Sequence, residues 1–178
     1  MTAIPIINGD LATAPADLIV QQCNCLTVKA HGLSEYLGQK LGANPYQKRK
    51  AIPGRRNLAI KENRTKIGTI RIYSRKKTRP FHVACLFSQF TPGKPNVFYQ
   101  DVCTDHDIVD DAANRIEWFK QCLQLLVKKI DSLGCKTVAF PYGLGCGLAG
   151  GDWKVYSSII TDWAHQHTDL KVIFMKIT

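Results

Sequence analysis

The chain has 178 residues, 45% of them hydrophobic, and 24 Lys and Arg against 14 Asp and Glu give it a formal charge of +10. This length and content fit one globular domain spanning 1–178 with a sizeable core, and the absence of an 18-residue apolar run argues against a membrane-spanning helix. Seven cysteines without a CxxC pair speak against a disulfide framework or a zinc site, so we expect reduced thiols, no metal, no cofactor, a monomer, and a cytoplasmic or nuclear compartment.

The N-terminal MTAIPIINGD carries no signal-peptide pattern and enters a strand directly, Ile4 to Ile7, ended by Asn8-Gly9-Asp10. Asp17 to Cys23 has the continuous apolar middle of a parallel strand buried on both faces. Asn24 to Gly32 is a loop, and Leu33 to Leu41 a short helix with Leu33, Tyr36, Leu37 and Leu41 on one side. Residues 44 to 57 hold Pro45, Pro53 and Gly54 and read as loop with one helical turn; Leu58 to Lys61 and Gly68 to Tyr73 read as strands. Phe81 to Phe87 is a fully buried strand, and Ser88 to Asp107, with Pro92, Gly93 and Pro95, a long loop. Ile108 to Leu133 is the longest helix, apolar at 112, 116, 119, 123, 126 and 130, with acids near its start and Gly134 suited to its end.

The most informative stretch is KTVAFPYGLGCGLAGGDW, residues 136 to 153. Thr137 to Phe140 makes a short buried strand. Five glycines (143, 145, 147, 150 and 151) follow within nine residues, and Asp152 is a good N-cap for a helix running to about His167. Val172 to Ile177 closes the chain as a strand. A strand, a glycine loop and a helix start can hold phosphate, because residues without Cβ let backbone N–H groups approach an anion. The same segment also serves as a plain tight turn, so both readings stand at this point. GLGCG lacks the Lys-Ser or Lys-Thr of a P-loop and is not a GxGxxG fingerprint.

Lys48 to Arg79 contains thirteen Lys or Arg and one acid, Glu62, leaving 11 bases against 13 acids elsewhere. One segment thus carries the whole excess. It reads either as a solvated face or as a nucleic-acid surface, with Tyr73 its one strand aromatic available for base stacking. Strands alternating with helices imply an α/β domain with a mostly parallel sheet and helices on both faces. Ligands in such sheets bind beyond the carboxyl ends of the strands. The loops at Asn8-Gly9-Asp10, 24–32 and 141–151 should therefore converge on one cleft.

Two blocks carry a family resemblance. NGDLATAPADLIVQQCN resembles the opening of a macro domain, and FPYGLGCGLAGGDW resembles the glycine loop of the branch that includes ADP-ribose-1″-phosphate phosphatases. The resemblance implies a three-layer α/β/α fold with a mixed, mostly parallel sheet, and ADP-ribose or a derivative as ligand. It implies that Asp10 accepts from the adenine amino group, with Gly9 and Leu11 beside it. Asn24 would face the distal ribose. Lys29, Ala30, His31, Gly32 and Leu33 would run along the diphosphate and distal ribose. Pro141 and Tyr142 would lead into a diphosphate wrap made by Gly143, Leu144, Gly145, Cys146, Gly147 and Leu148. For hydrolysis, Asn24 and His31 would hold the reacting end, with His31 as general acid or base and Asp152 as a second candidate.

The chain also departs from the family pattern. Ser34 stands where macro domains that remove mono-ADP-ribose from proteins carry Asp. Ala149 stands where the branch acting on nucleic acid or terminal esters has Asp, and Phe87-Ser88-Gln89 where that branch has Lys. No CxxxxxR or DxD phosphatase motif is present, and Cys146 has no evident partner His. The leading expectation is an enzyme removing the terminal phosphate of ADP-ribose-1″-phosphate. The alternative is a non-catalytic ADP-ribose reader, or an ADP-ribosyl hydrolase on a modified macromolecule whose nucleic acid would meet Lys48 to Arg79. A dinucleotide redox domain is the weakest reading, because its glycines would lie in the first βα turn.

Overall fold

The computed structural model describes residues 2–95 and 97–178, with the backbone alone for Val97. Six strands form the main sheet: β1 (Ile6–Asn8), β2 (Leu18–Asn24), β5 (Ile70–Ser74), β6 (His82–Gln89), β7 (Thr137–Pro141) and β8 (Lys171–Lys176). Their order is β1-β8-β7-β2-β6-β5. All pairings are parallel except β5 with β6, so the sheet is mixed and mostly parallel. A separate hairpin pairs β3 (Ala51–Ile52) with β4 (Arg55–Ala59). The helices are α1 (Leu33–Leu41), α2 (Gln100–Asp105), α3 (Ala112–Leu133) and α4 (Trp153–Gln166).

The central strands β2 and β6 are almost wholly buried because both faces of the sheet are covered. Along β6, Val83, Cys85 and Phe87 point to one core with Leu37 of α1, while Ala84 and Leu86 point to a second core with Phe119 and Leu126 of α3 and Ile160 of α4. The two-residue period of the strand sends alternate side chains to opposite layers. This places α1 on one side of the sheet and α3 and α4 on the other, a three-layer α/β/α arrangement.

Several boundaries differ from the sequence reading. The stretch 44–57 is not plain loop, because Pro53-Gly54 turns a basic hairpin and Gly54 takes φ +85°. The strand expected over Leu58 to Lys61 is β4, three residues earlier. The stretch 88–107 contains the end of β6, a 3₁₀ turn at Val97–Tyr99, and α2. The long helix starts at Ala112 rather than Ile108, because the Asp111 side chain caps it by accepting from Asn114 N–H at 2.7 Å. Gly134 ends it with φ +69°. β2, β6, β7 and β8 all run toward the same end of the sheet, so the loops that follow them share one rim.

Candidate functional site

That rim holds a cleft of about 1240 Å³. The loop after β2, the first turn of α1 and the glycine loop after β7 all line it. The segment after β6 and the end of β8 complete the sides, while Gln22 and Gln89 lie at the strand ends.

The glycine loop owes its course to residues that tolerate left-handed backbone. Gly143, Gly145 and Gly150 take φ of +82°, +77° and +74°. Three internal bonds close it: Cys146 N–H to Gly143 O at 2.9 Å, Gly150 N–H to Gly147 O at 3.1 Å, and Gly151 N–H to Gly145 O at 3.0 Å. A Cβ on Gly151 would lie 2.6 Å from Gly145 O, so this approach requires glycine. Among the described residues, the N–H groups of Gly143, Gly145, Gly147, Leu148 and Ala149 have no protein acceptor. All five residues line the cleft.

Also lining the cleft, α1 begins at Gly32, which provides no side-chain cap. The Leu33, Ser34 and Glu35 N–H groups, the orphan donors of a helix start, lack a protein acceptor among the described residues. The loop before them is held from behind by Arg49. Arg49 is 7% exposed, and its guanidinium donates to Thr27 O at 2.9 Å, Asn24 O at 3.1 Å and Thr65 Oγ1 at 2.7 Å. It lies 4.6 Å from the Tyr46 ring centroid. Burial is the largest influence on this guanidinium and lowers its pKa. The hairpin braces the same loop, with Lys29 N–H donating to Asn57 Oδ1 at 2.9 Å and Val28 N–H to Asn57 O at 3.1 Å.

The cleft brings together Leu11, Asn24, Ala30, His31, Gly32 and Leu33 from the first two loops. From the third come Pro141, Tyr142, Gly143, Leu144, Gly145, Gly147 and Leu148. His31 is exposed and has no hydrogen-bond partner among the described residues. Asn24 is largely committed. Its Oδ1 accepts from Leu26 N–H at 2.9 Å and Thr27 N–H at 2.8 Å, and its Nδ2 donates to Thr27 Oγ1 at 3.0 Å. One Nδ2 hydrogen is left for a ligand.

Gly9, Asp10, Cys146 and Asp152 are not among the residues lining the cleft. Asp10 caps a 3₁₀ turn by accepting from Ala12 N–H at 2.8 Å, and its other oxygen accepts a short bond from the Tyr36 hydroxyl. That bond is the main reason the Tyr36 phenol titrates above its ordinary value. The Cys146 thiol donates to Leu144 O at 3.3 Å, and burial pushes its pKa up to about 11, which favours the protonated, weakly nucleophilic thiol at neutral pH. Asp152 caps α4, accepting from Lys154 N–H at 2.9 Å. One oxygen of the carboxylate thus serves the helix start.

The bases of the segment from Lys48 to Arg79 differ in their surroundings. Arg49 is buried, Arg55 pairs with Asp101 at 2.7 Å, Arg79 pairs with Asp17 at 3.0 Å, and Arg64 donates to Ala59 O at 3.0 Å. The exposed bases are spread over the hairpin, a 3₁₀ turn, the edge strand β5 and the turn after it. Sequence reading missed Gln22, Gln89, Tyr46, Asn57 and Tyr99 as cleft residues. Gln22 and Gln89 carried one usable signal, polar residues at the ends of apolar strands. Gln22 Nε2 donates to Gln89 Oε1 at 2.7 Å, and Ser88 Oγ donates to Gln22 Oε1 at 2.9 Å. Among the described residues no group of three or more His, Cys, Asp or Glu could hold a metal ion, and no helix is long and apolar enough to cross a membrane.

No protein-family model and no curated protein matches the sequence. Solved structures do match. The macrodomain of Mycobacterium tuberculosis DarG is 20% identical with a TM-score of 0.68, over 97% of this chain and 96% of that one. The macrodomain of Thermus aquaticus DarG is 19% identical with a TM-score of 0.62, over 97% and 95%. Thermosipho africanus DarTG, solved in complex with ADP-ribose, is 15% identical with a TM-score of 0.60, over 97% of this chain and 41% of that one. At these identities the likeness is one of fold.

Proposed function

For a chain with the macrodomain fold, we propose that the cleft binds ADP-ribose or a derivative and that its reaction is hydrolysis of the terminal phosphate of ADP-ribose-1″-phosphate. One observation carries the binding reading: two sets of unpaired backbone N–H groups, in the glycine loop and at the start of α1, belong to residues that line one cleft. A diphosphate is the ligand such donors suit, since backbone amides and a helix start stabilise anions without burying a cationic side chain. At about 1240 Å³ the cleft exceeds the roughly 300–1,000 Å³ of common small-molecule sites, leaving room for sugars and a base beside the phosphates. The complex of Thermosipho africanus DarTG with ADP-ribose supports the same choice by fold.

In the hydrolysis, a water adds to phosphorus while the bond to the ribose 1″-oxygen breaks. His31 is the residue to supply the proton that the departing hydroxyl needs, as an imidazole exposed on the cleft and free of other bonds among the described residues. The remaining Nδ2 hydrogen of Asn24 would hold a distal ribose hydroxyl. The products are ADP-ribose and inorganic phosphate.

The alternative, a reader without turnover, is favoured by one observation. Of Asn24, His31 and Asp152, only His31 is both on the cleft and unengaged. Calorimetric titration tests binding: micromolar affinity for ADP-ribose with much weaker affinity for AMP is expected, and no binding to ADP-ribose overturns the reading. Phosphate release from ADP-ribose-1″-phosphate then separates the enzyme from the reader.

A further inference from the structure

A second buried arginine stands behind the glycine loop, and the binding reading makes no use of it. The side chains of Arg115 of α3 and its partner Asp110 are each 3% exposed. Arg115 Nε donates to Asp110 Oδ1 at 2.6 Å, and Nη2 donates to Asp110 Oδ2 at 3.0 Å. The same Nη2 reaches Thr91 O and Oγ1, both at 3.1 Å. Nη1 donates to Gly93 O at 2.7 Å and to Ala149 O at 3.4 Å. Asp110 Oδ2 also accepts from Thr91 N–H at 2.8 Å and Thr91 Oγ1 at 2.7 Å.

One guanidinium therefore joins the segment after β6 to the glycine loop. Gly93 and Ala149, the residues whose carbonyls it holds, both line the cleft. The two segments are close: a Cβ on Gly93 would meet Leu148 O at 4.0 Å, and one on Gly150 would meet Lys94 side-chain carbons at 2.7–3.0 Å. A buried ion pair is weak evidence for stability, because desolvation offsets much of its attraction. A buried charge with almost every donor directed at a backbone carbonyl or its own carboxylate is better explained as fixing geometry. Lysine could not replace it, since a point charge cannot hold a carboxylate with two donors and two separate loops with others.

We propose that Arg115, held by Asp110, is a positioning residue that presets the glycine loop for a diphosphate. The inference rests on the binding reading above and deepens it. Two variants and one measurement on the unaltered protein test it. Arg115→Lys keeps the charge and loses the fork. The double variant Asp110→Asn with Arg115→Met removes both charges, while the new amide oxygen can still accept from Thr91 N–H. In both we expect ADP-ribose affinity to fall at least tenfold by calorimetry, while adenosine binding, followed by NMR shift titration, stays within twofold. Loss of both ligands in proportion to a lowered Tm would mean a general structural role and would overturn the proposal. So would a wild type that binds ADP-ribose beside folded variants that bind it within twofold as well. A wild type that does not bind ADP-ribose overturns the underlying reading and this one with it. Backbone ¹⁵N relaxation on the ligand-free wild type needs no variant: the Gly147 to Ala149 amides should be as rigid as α3, and nanosecond mobility there would refute a preset loop.

Discussion

Two glycines of one loop should separate its folding role from its binding role. At Gly151 a methyl group would meet Gly145 O at 2.6 Å and the Tyr156 ring at 2.8 Å, and neither neighbour is the end of a flexible side chain. Gly151→Ala must therefore push the loop open and weaken the 3.0 Å bond from its own N–H to Gly145 O. Overpacking of this kind costs about 1–3 kcal/mol. In a chain of this size each kcal/mol moves Tm by roughly 2–4 °C, so a fall of about 2–12 °C is expected. At Gly147 the backbone is not left-handed and a Cβ would meet nothing within 4 Å. Gly147→Ala should thus leave Tm unchanged or raise it slightly through loss of unfolded-state freedom. Yet Gly147 is exposed on the cleft, and a methyl there stands where a phosphate must approach the loop N–H groups. The expected result is ADP-ribose affinity lowered tenfold or more in Gly147→Ala at full stability, by calorimetry beside a thermal melt. Unchanged affinity would refute the placement of the diphosphate, and an unchanged Tm in Gly151→Ala would refute the loop geometry.

His31→Ala should leave Tm within a degree or so and abolish phosphate release from ADP-ribose-1″-phosphate while sparing ADP-ribose binding; retained turnover would remove His31 from the mechanism. Asn24→Ala strips the acceptor from the Leu26 and Thr27 N–H groups, both on buried residues, and should cost about 1–3 kcal/mol in a denaturant titration, a loss that Asn24→Asp should largely avoid. Cys146→Ser should change phosphate release less than twofold at pH 7, because burial holds the thiol near 11; a loss of turnover would contradict the assignment of Cys146 as inert. Asp17 is held below its ordinary value of 3.8: burial, the largest single influence, raises it, but bonds from Lys136 N–H at 2.8 Å and Thr137 N–H at 3.2 Å and the charge of Arg79 together outweigh burial. A lowered folded value means that Asp17 stabilises fully above about pH 4 and ceases to as pH falls through the folded value. Asp17→Asn should therefore lower Tm at pH 7 with the difference shrinking below pH 4, and an equal difference at pH 7 and pH 2.5 would sink this account.

The sheet was legible because its strands are buried on both faces. Residues 17–23 have a continuous apolar stretch at Leu18 to Val20 and residues 81–87 one at Val83 to Phe87, and β2 and β6 occupy these segments within two residues at each end. The helix α1, the Gly134 end of α3 and the Asp152 cap of α4 were legible because Asp, Gly and helical spacing report local energies that tertiary contacts did not overturn. The hairpin β3–β4 was not, since its strands are only two and five residues long and mostly outside the core. What fixes it is contact with the loop after β2, through Asn57 and the Thr27–Leu58 bridge, and no local pattern reports such a partner. The start of α3 was misjudged for a related reason. Asp110 looked like one more helix-start acid, but Thr91 and Arg115 claim its carboxylate and keep residue 110 outside the helix.

The same distinction governs the site. A side chain's type can be read from the sequence, but not which of its atoms are already taken. Asp10 and Asn24 are suitable acceptors by composition, yet Ala12 N–H and Tyr36 use the first, and Leu26 and Thr27 N–H use the second. Backbone donors are the reverse case. Their availability follows from geometry that glycine alone permits, so five glycines in nine residues marked the wall whose N–H groups the structure leaves unpaired. This makes the glycine loop a stronger basis for the ligand than any polar side chain of the cleft. It also predicts that affinity for the diphosphate depends more on the course of residues 143 to 149 than on the identity of the side chains around it, which is why the variants that bend or obstruct this loop are the most informative ones to make.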